Sequence, residues 1–180
     1  MTIHKGSASR PSHQVPEGKQ TSLGLYVTAQ EAYEMWKTEP MQVNILDVRT
    51  PEEYVFVGHA EMARNIPLVF VKHQWDVDNN EFVVESNPDF ISHVKGFFTP
   101  TDNLLVMCRS GARSARAVNA LANTGFVNVY NVIDGMEGDK VNDPGSVTHG
   151  KRMKNGWKNS GSPWTYNVNP ELIGLPIIKR

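Results

Sequence analysis

A chain of 180 residues with 39% hydrophobic residues is long enough to bury its own core as one domain. Its formal net charge of −1 gives no electrostatic reason to bind nucleic acid or membrane, and no apolar run approaches the roughly 18 residues of a membrane span. The single cysteine excludes an intramolecular disulfide, so this thiol is either a core filler or a reactive group.

Residues 1–22 are polar and rich in Ser, Gly, Pro and His, and are expected to form a flexible arm ahead of one domain over 23–180. The first residues lack the apolar core of a secretory leader. The expected compartment is cytoplasmic for a chain that starts here, and periplasmic or exported for a trimmed form. Thr28-Ala-Gln-Glu31 is a capping box that opens a helix through Ala32, Met35 and Trp36, with Pro40 just past its end. Val43 to Val48 reads as a buried strand. Thr50-Pro51-Glu-Glu53 is a second capping box with Pro at the first helical position, and its short helix ends near Gly58. Ala63 to Leu68 is expected as a short strand closed by Pro67. Phe70 to Glu85 mixes apolar residues with the turn signal Asp78-Asn-Asn80 and fits neither period. Asn87-Pro88 starts a further helix through Phe90, Ile91 and Val94.

Leu104 to Met107 is a continuous apolar run, as a strand covered on both faces requires. A glycine-containing turn leads into a helix over about 112–123, with Gly125 at its C-terminal cap, and Val127 to Val132 is another strand. Strands and helices alternate, which predicts an α/β fold around a mostly parallel sheet.

Cys108-Arg-Ser-Gly-Ala-Arg-Ser114 lies between the buried strand and the helix. It sits where open α/β sheets place ligands, at the C-terminal end of a strand, and it curls into a helix N-terminus whose N–H groups favour anions. Arg109 and Arg113 add positive charge. These features favour the thiolate over the thiol, and a filler cysteine would not be flanked by so many polar groups.

This segment resembles the active-site loop of the rhodanese family. Leu46-Asp-Val-Arg-Thr-Pro-Glu-Glu-Tyr54 resembles the family's Asp-Val-Arg signature, and Gly58-His-Ala with Asn65-Ile-Pro67 resembles its second. Val129-Tyr-Asn-Val followed by Asp134-Gly135 is similar to the strand and glycine turn after the active-site helix. The likeness spans about 25–135 and resumes at Gly156-Trp157-Lys158 and Gly161. It implies a rhodanese-like, five-stranded parallel sheet flanked by helices. It also implies transfer of sulfane sulfur from a small anionic donor such as thiosulfate to cyanide, a thiol or a protein thiol, through a Cys108 persulfide. Covalent catalysis of this kind needs no cofactor.

Within the loop, Arg109 and Arg113 are expected to attract the donor or to hold the loop. Ser110 and Ser114 are expected to donate to the sulfur anion or to cap the helix. Gly111 supplies a backbone angle, and Ala112 completes the ring. Asp47 and Arg49 are expected to support the loop as a buried pair, with Glu52 or Glu53 as further partners for Arg49. His59 reads as structural, and His73 and Trp75 are candidates to line the pocket. The six histidines share no ligand spacing, so no metal site is expected. Residues 139–155 are a polar excursion between the glycine turn and Gly156, expected on the surface either as a neutral insertion or as a loop bordering the active-site mouth. Two other functions stay open: a low-turnover persulfide carrier or redox sensor, and a cysteine phosphatase or arsenate reductase. The latter is disfavoured by the four residues between Cys108 and Arg113.

Overall fold

The computed structural model describes residues 10–176 and 178. Strand β1 is Tyr26–Val27, and helix α1, Ala29–Thr38, starts at Thr28. There the hydroxyl accepts from the Glu31 amide while the Glu31 carboxylate accepts from the Thr28 amide. Strand β2 is Val43–Asp47. Thr50 and Glu53 repeat the capping box at α2, Pro51–Phe56. Both helix starts are local devices, which is why they are legible in sequence.

Short strands β3, His59–Ala60, and β4, Arg64–Asn65, follow. The strand expected over Ala63 to Leu68 makes ladder pairs only at Arg64 and Asn65, opposite Leu46 and Asp47. The ambiguous stretch is an antiparallel hairpin of β5, Val69–Asp76, and β6, Glu81–Ser86. Asp76 closes its turn by accepting from the amides of Asp78 and Asn79. A register shift between Val71 and Trp75 breaks the alternation that would have marked β5 as a strand.

Helix α3 is Phe90–Phe97, β7 is Asn103–Met107, α4 is Ala112–Ala122 and β8 is Val129–Val132. A last strand, β9, Trp164–Thr165, pairs antiparallel with β3. The main sheet has the order β1-β8-β7-β2-β4, with every neighbouring pair parallel. Alternate residues of the central strands feed two cores. Leu46, Leu104 and Val106 pack with Phe90 and Val94 of α3 and with Val118 and Leu121 of α4. Ile45, Leu105 and Met107 pack with Ala29, Ala32 and Trp157 on the other face. The protein is therefore an α/β fold with a five-stranded parallel sheet, and Cys108 follows its central strand.

Of the arm expected over 1–22, residues 1–9 lie outside the described ones, and from Arg10 onward the segment forms turns that contact the domain. Short 3-10 turns at Ser12–Gln14 and Glu17–Lys19 each follow a proline, and Val15 is buried between them. The Gln20 side chain donates to the carbonyls of Ser12 and Val15, the Ser22 amide donates to the Asn119 side chain, and Arg10 pairs with Glu31. Such turns have no hydrophobic period, so composition alone misreads them.

The excursion over 139–155 is closed at its base. The Asp139 amide donates to the Asn155 side chain, and a Cβ on Gly138 or Gly156 would strike the opposite backbone. The Asp134 carboxylate is the clasp behind it, accepting from the Ala29 amide at 2.7 Å and from the Gly156 amide at 2.9 Å. Burial pushes this carboxyl up from its ordinary range despite those amides.

Asp47 and Arg49 form a fully buried ion pair at the end of β2. Arg49 Nη2 donates to Asp47 at 2.7 Å and to the Gly58 carbonyl at 2.8 Å, and Nε donates to both carboxylate oxygens. Removing one member strands the other without solvent. Arg49→Met is expected to destabilise the fold by about 3–5 kcal/mol. Combining it with Asp47→Asn, which removes the stranded charge, is expected to recover part of that loss. Urea unfolding of the two variants against the unsubstituted chain checks both statements.

Candidate active site

Cys108 is only 2% exposed and ends the apolar run of β7. Its Sγ lies 3.2 Å from the Gly111 amide, which donates to it, and 3.4 Å from the Ser114 hydroxyl. Gly111 occupies the N-cap of α4 with φ +103°, and a Cβ there would collide with the Ile133 carbonyl. Both facts require glycine. Behind the loop, the amides of Met136 and Glu137 donate to the carbonyls of Cys108 and Arg109, at 2.8 and 2.9 Å. Gly135 approaches the Cys108 carbonyl too closely for any side chain.

The loop's carbonyls are thus tied back, while its amides are not. Among the described residues, the amides of Arg109, Ser110, Ala112 and Arg113 find no protein acceptor. The first turn of α4 contributes to this set because helix N-termini leave such donors free. These donors without a protein partner lie in the same loop as the Gly111 amide that reaches Sγ, a composition that suits an anion.

The arginines take different roles. Arg109 is exposed. Arg113 makes a two-pronged ion pair with Glu53, 2.6 Å at each contact, and so fastens α4 to α2. Burial pushes the Glu53 carboxyl up, but Arg113, the Thr50 amide and Arg49 outweigh this and hold it below the usual carboxylate range. The expected pairing of Arg49 with Glu52 or Glu53 is corrected. Arg49 pairs with Asp47 and reaches only the Glu53 carbonyl, the Glu53 carboxylate belongs to Arg113, and Glu52 is exposed. Asp47 ends β2, and next to it the Val48 amide donates to the carbonyl of Met107, the last residue of β7 before Cys108.

Ser114 does not cap α4, which has no side-chain cap; its hydroxyl instead faces Sγ and Asn131 Oδ1, the latter at 2.6 Å. Ser110 is partly exposed and Ala112 exposed on the loop's outer side. His59 is buried, stacked on Tyr54 with its Nδ1 at the Tyr54 carbonyl, as a structural histidine would be. His73 and Trp75 stand on the exposed hairpin, and Trp75 packs edge-on against Phe82, so the expectation that they line the pocket is not supported.

Three contributors were not read from sequence: Glu53 as the partner of Arg113, Asn131, and Lys19. Lys19 comes from the N-terminal turns, lies against Gly111, and pairs with Asp139 at 2.8 Å, which brings the start of the excursion to the loop. Asn131 did carry a signal, as an amide within an otherwise apolar strand; Lys19 carried none.

Comparison with known proteins agrees with this geometry. The family model for the rhodanese-like domain matches residues 28–141. Thiosulfate sulfurtransferase 16, chloroplastic, of Arabidopsis thaliana is 38% identical over 90 residues, covering 50% of this chain and 68% of that protein. An uncharacterized protein of Rickettsia conorii is 31% identical over 122 residues, covering 68% of this chain and 82% of its own length. Among solved structures, Rv0390 from M. tuberculosis superposes with a TM-score of 0.61 at 26% identity, over 78% of this chain and 96% of that one. With the family model spanning more than half of the residues, and the sheet order and cysteine loop described above, the chain belongs to the rhodanese-like domain family.

Proposed function

We propose that this protein is a sulfurtransferase that moves sulfane sulfur from a thiosulfate-like donor to cyanide or a thiol, through a persulfide on Cys108. The observation that carries the reading is the Gly111 amide donating to Sγ, in a loop whose neighbouring amides have no protein acceptor among the described residues. A relative named as a thiosulfate sulfurtransferase supports the donor class.

The chemistry follows from the loop. The Cys108 thiolate attacks the outer sulfur of the donor. The new S–S bond forms as the bond to the sulfite sulfur breaks, and sulfite leaves with that electron pair. The persulfide keeps one negative charge on its outer sulfur, within reach of N–H donors that are oriented before the reaction begins. An acceptor nucleophile then takes the outer sulfur, and the thiolate returns. Two half-reactions with a covalent intermediate give ping-pong kinetics. The phosphatase alternative needs an arginine free to grip phosphoryl oxygens, whereas Arg113 is held on both sides by Glu53.

Cys108→Ser is expected to abolish transfer and to leave the fold intact. Intact-mass spectrometry after thiosulfate treatment is expected to show one added sulfur on the unsubstituted chain and none on the variant; labelling of the variant would sink the proposal. A phosphatase assay adds a further check, since hydrolysis of an aryl phosphate faster than transfer from thiosulfate would favour the other reading.

Glu53→Gln releases one side of the Arg113 clamp. A hydrogen bond to a charged group contributes about 1.5–3 kcal/mol, so kcat/KM for thiosulfate is expected to fall roughly tenfold or more. The same variant tests a pH dependence. The Glu53 carboxyl is held below its ordinary range, so its contribution to stability is present above the ordinary carboxylate pKa and is lost as pH falls through the folded-state value. The stability gap between unsubstituted chain and variant is therefore expected to be widest near neutral pH and to narrow on acidification, as urea midpoints measured across pH would report.

A further inference from the structure

Asn131 is fully buried in β8, and every polar atom of its amide is engaged. Its Nδ2 donates to the Lys19 carbonyl at 2.8 Å and to the Gly111 carbonyl at 3.1 Å, while Oδ1 faces the Ser114 hydroxyl at 2.6 Å. The two carbonyls decide which way the amide points, because a flipped amide would set Oδ1 against two acceptors. Asn131 therefore offers Ser114 an acceptor and nothing else.

The Ser114 hydroxyl has one proton and two acceptors in reach, Asn131 Oδ1 at 2.6 Å and Cys108 Sγ at 3.4 Å. When the proton lies on Oδ1, Ser114 turns a lone pair toward Sγ. That arrangement suits a thiol, whose S–H can donate to it. It opposes a thiolate, whose charge would face the lone pair. When Sγ is ionised the hydroxyl has to rotate, and Oδ1 then loses its donor in a buried site.

We propose that Asn131 is a positioning residue acting through Ser114: it holds the hydroxyl proton while Sγ is a thiol or the inner sulfur of a persulfide, and yields it to Sγ only when that atom is a thiolate. On ionisation the thiol proton passes to solvent, and the serine merely turns. When an outer sulfur is bonded, the negative charge moves to it, Sγ becomes a neutral divalent sulfur, and the hydroxyl returns to Asn131. Asn131 thereby weights the loaded form against the bare thiolate. The persulfide half of this statement rests on the function proposed above; the thiol–thiolate half does not. The charges around the site keep their partners through the rotation: Arg113 with Glu53, Arg49 with Asp47, and Lys19 with Asp139. Arg109 stays exposed, and Glu137 lies on the turn behind the loop.

The test is the rate at which iodoacetamide alkylates Cys108, the only thiol in the chain, at one fixed pH below neutrality. Asn131→Leu removes the competing acceptor, and the rate is expected to rise roughly fivefold, as loss of one hydrogen-bond competitor would give. Ser114→Ala is expected to lower the rate, and the double variant to match Ser114→Ala. If Asn131→Leu changes the rate by the same factor in the Ser114→Ala background, the residue acts through loop structure and the proposal fails. Should Asn131→Leu not fold, the infrared S–H stretch decides between the two. In the unsubstituted chain the band is expected at lower frequency than in Ser114→Ala, because the thiol donates to the serine; equal frequencies would overturn the proposal. Neither measurement uses a sulfur donor, so both stand or fall apart from the sulfurtransferase reading.

Discussion

The guanidinium of Arg49, closed on Asp47 without solvent contact, ties the C-terminal edge of the sheet together. Through the Gly58 carbonyl it holds the turn after α2, and the Asn65 side chain, donating to the carbonyls of Asp47 and Arg49, joins β4 to the same point. With α2 fixed, Glu53 has a set position, and Glu53 fixes Arg113 on the first turn of α4. The cysteine loop is thus anchored at its far end by a route that begins in β2 and passes through two ion pairs. A buried pair is a poor source of net stability but a strong determinant of arrangement, because any alternative packing leaves a charge unpaired.

Of the two arginines that make this loop conspicuous in sequence, Arg109 is exposed to solvent and Arg113 does not supply a bare positive field. Arg113 is matched by Glu53, and nearby Lys19 is matched by Asp139. The backbone group that reaches Sγ is the Gly111 amide, at the N-cap of α4, where the helix presents the positive end of its dipole. Dipoles fixed in this way need no rearrangement when charge appears on sulfur, whereas a flexible surface arginine would have to be recruited and would be screened by salt.

Much of this was legible from sequence because it is local. The capping boxes at Thr28 and Thr50 involve residues three apart, the buried strand ahead of Cys108 is an unbroken apolar run, and the left-handed turn at Gly111 declares itself by its glycine. The remainder depends on partners distant in the chain. Nothing near Glu53 indicates that its carboxylate meets Arg113, and the two prolines of the N-terminal segment give no hint that Lys19 reaches the loop. The hairpin was obscured differently: the irregularity between Val71 and Trp75 shifts side chains across the two faces, so neither a helical nor a strand period survives. Asn131 lay between the two cases, since an amide in an apolar strand signals an unmet demand without naming what meets it.

The solitary thiol has a consequence for how the molecule keeps its own record. With one cysteine, nothing within the chain can close on Cys108 as a disulfide, so thiol–disulfide exchange at this sulfur always involves another molecule. Each chain can therefore carry such a modification at one sulfur only, and any disulfide it forms joins it to a thiol outside the chain.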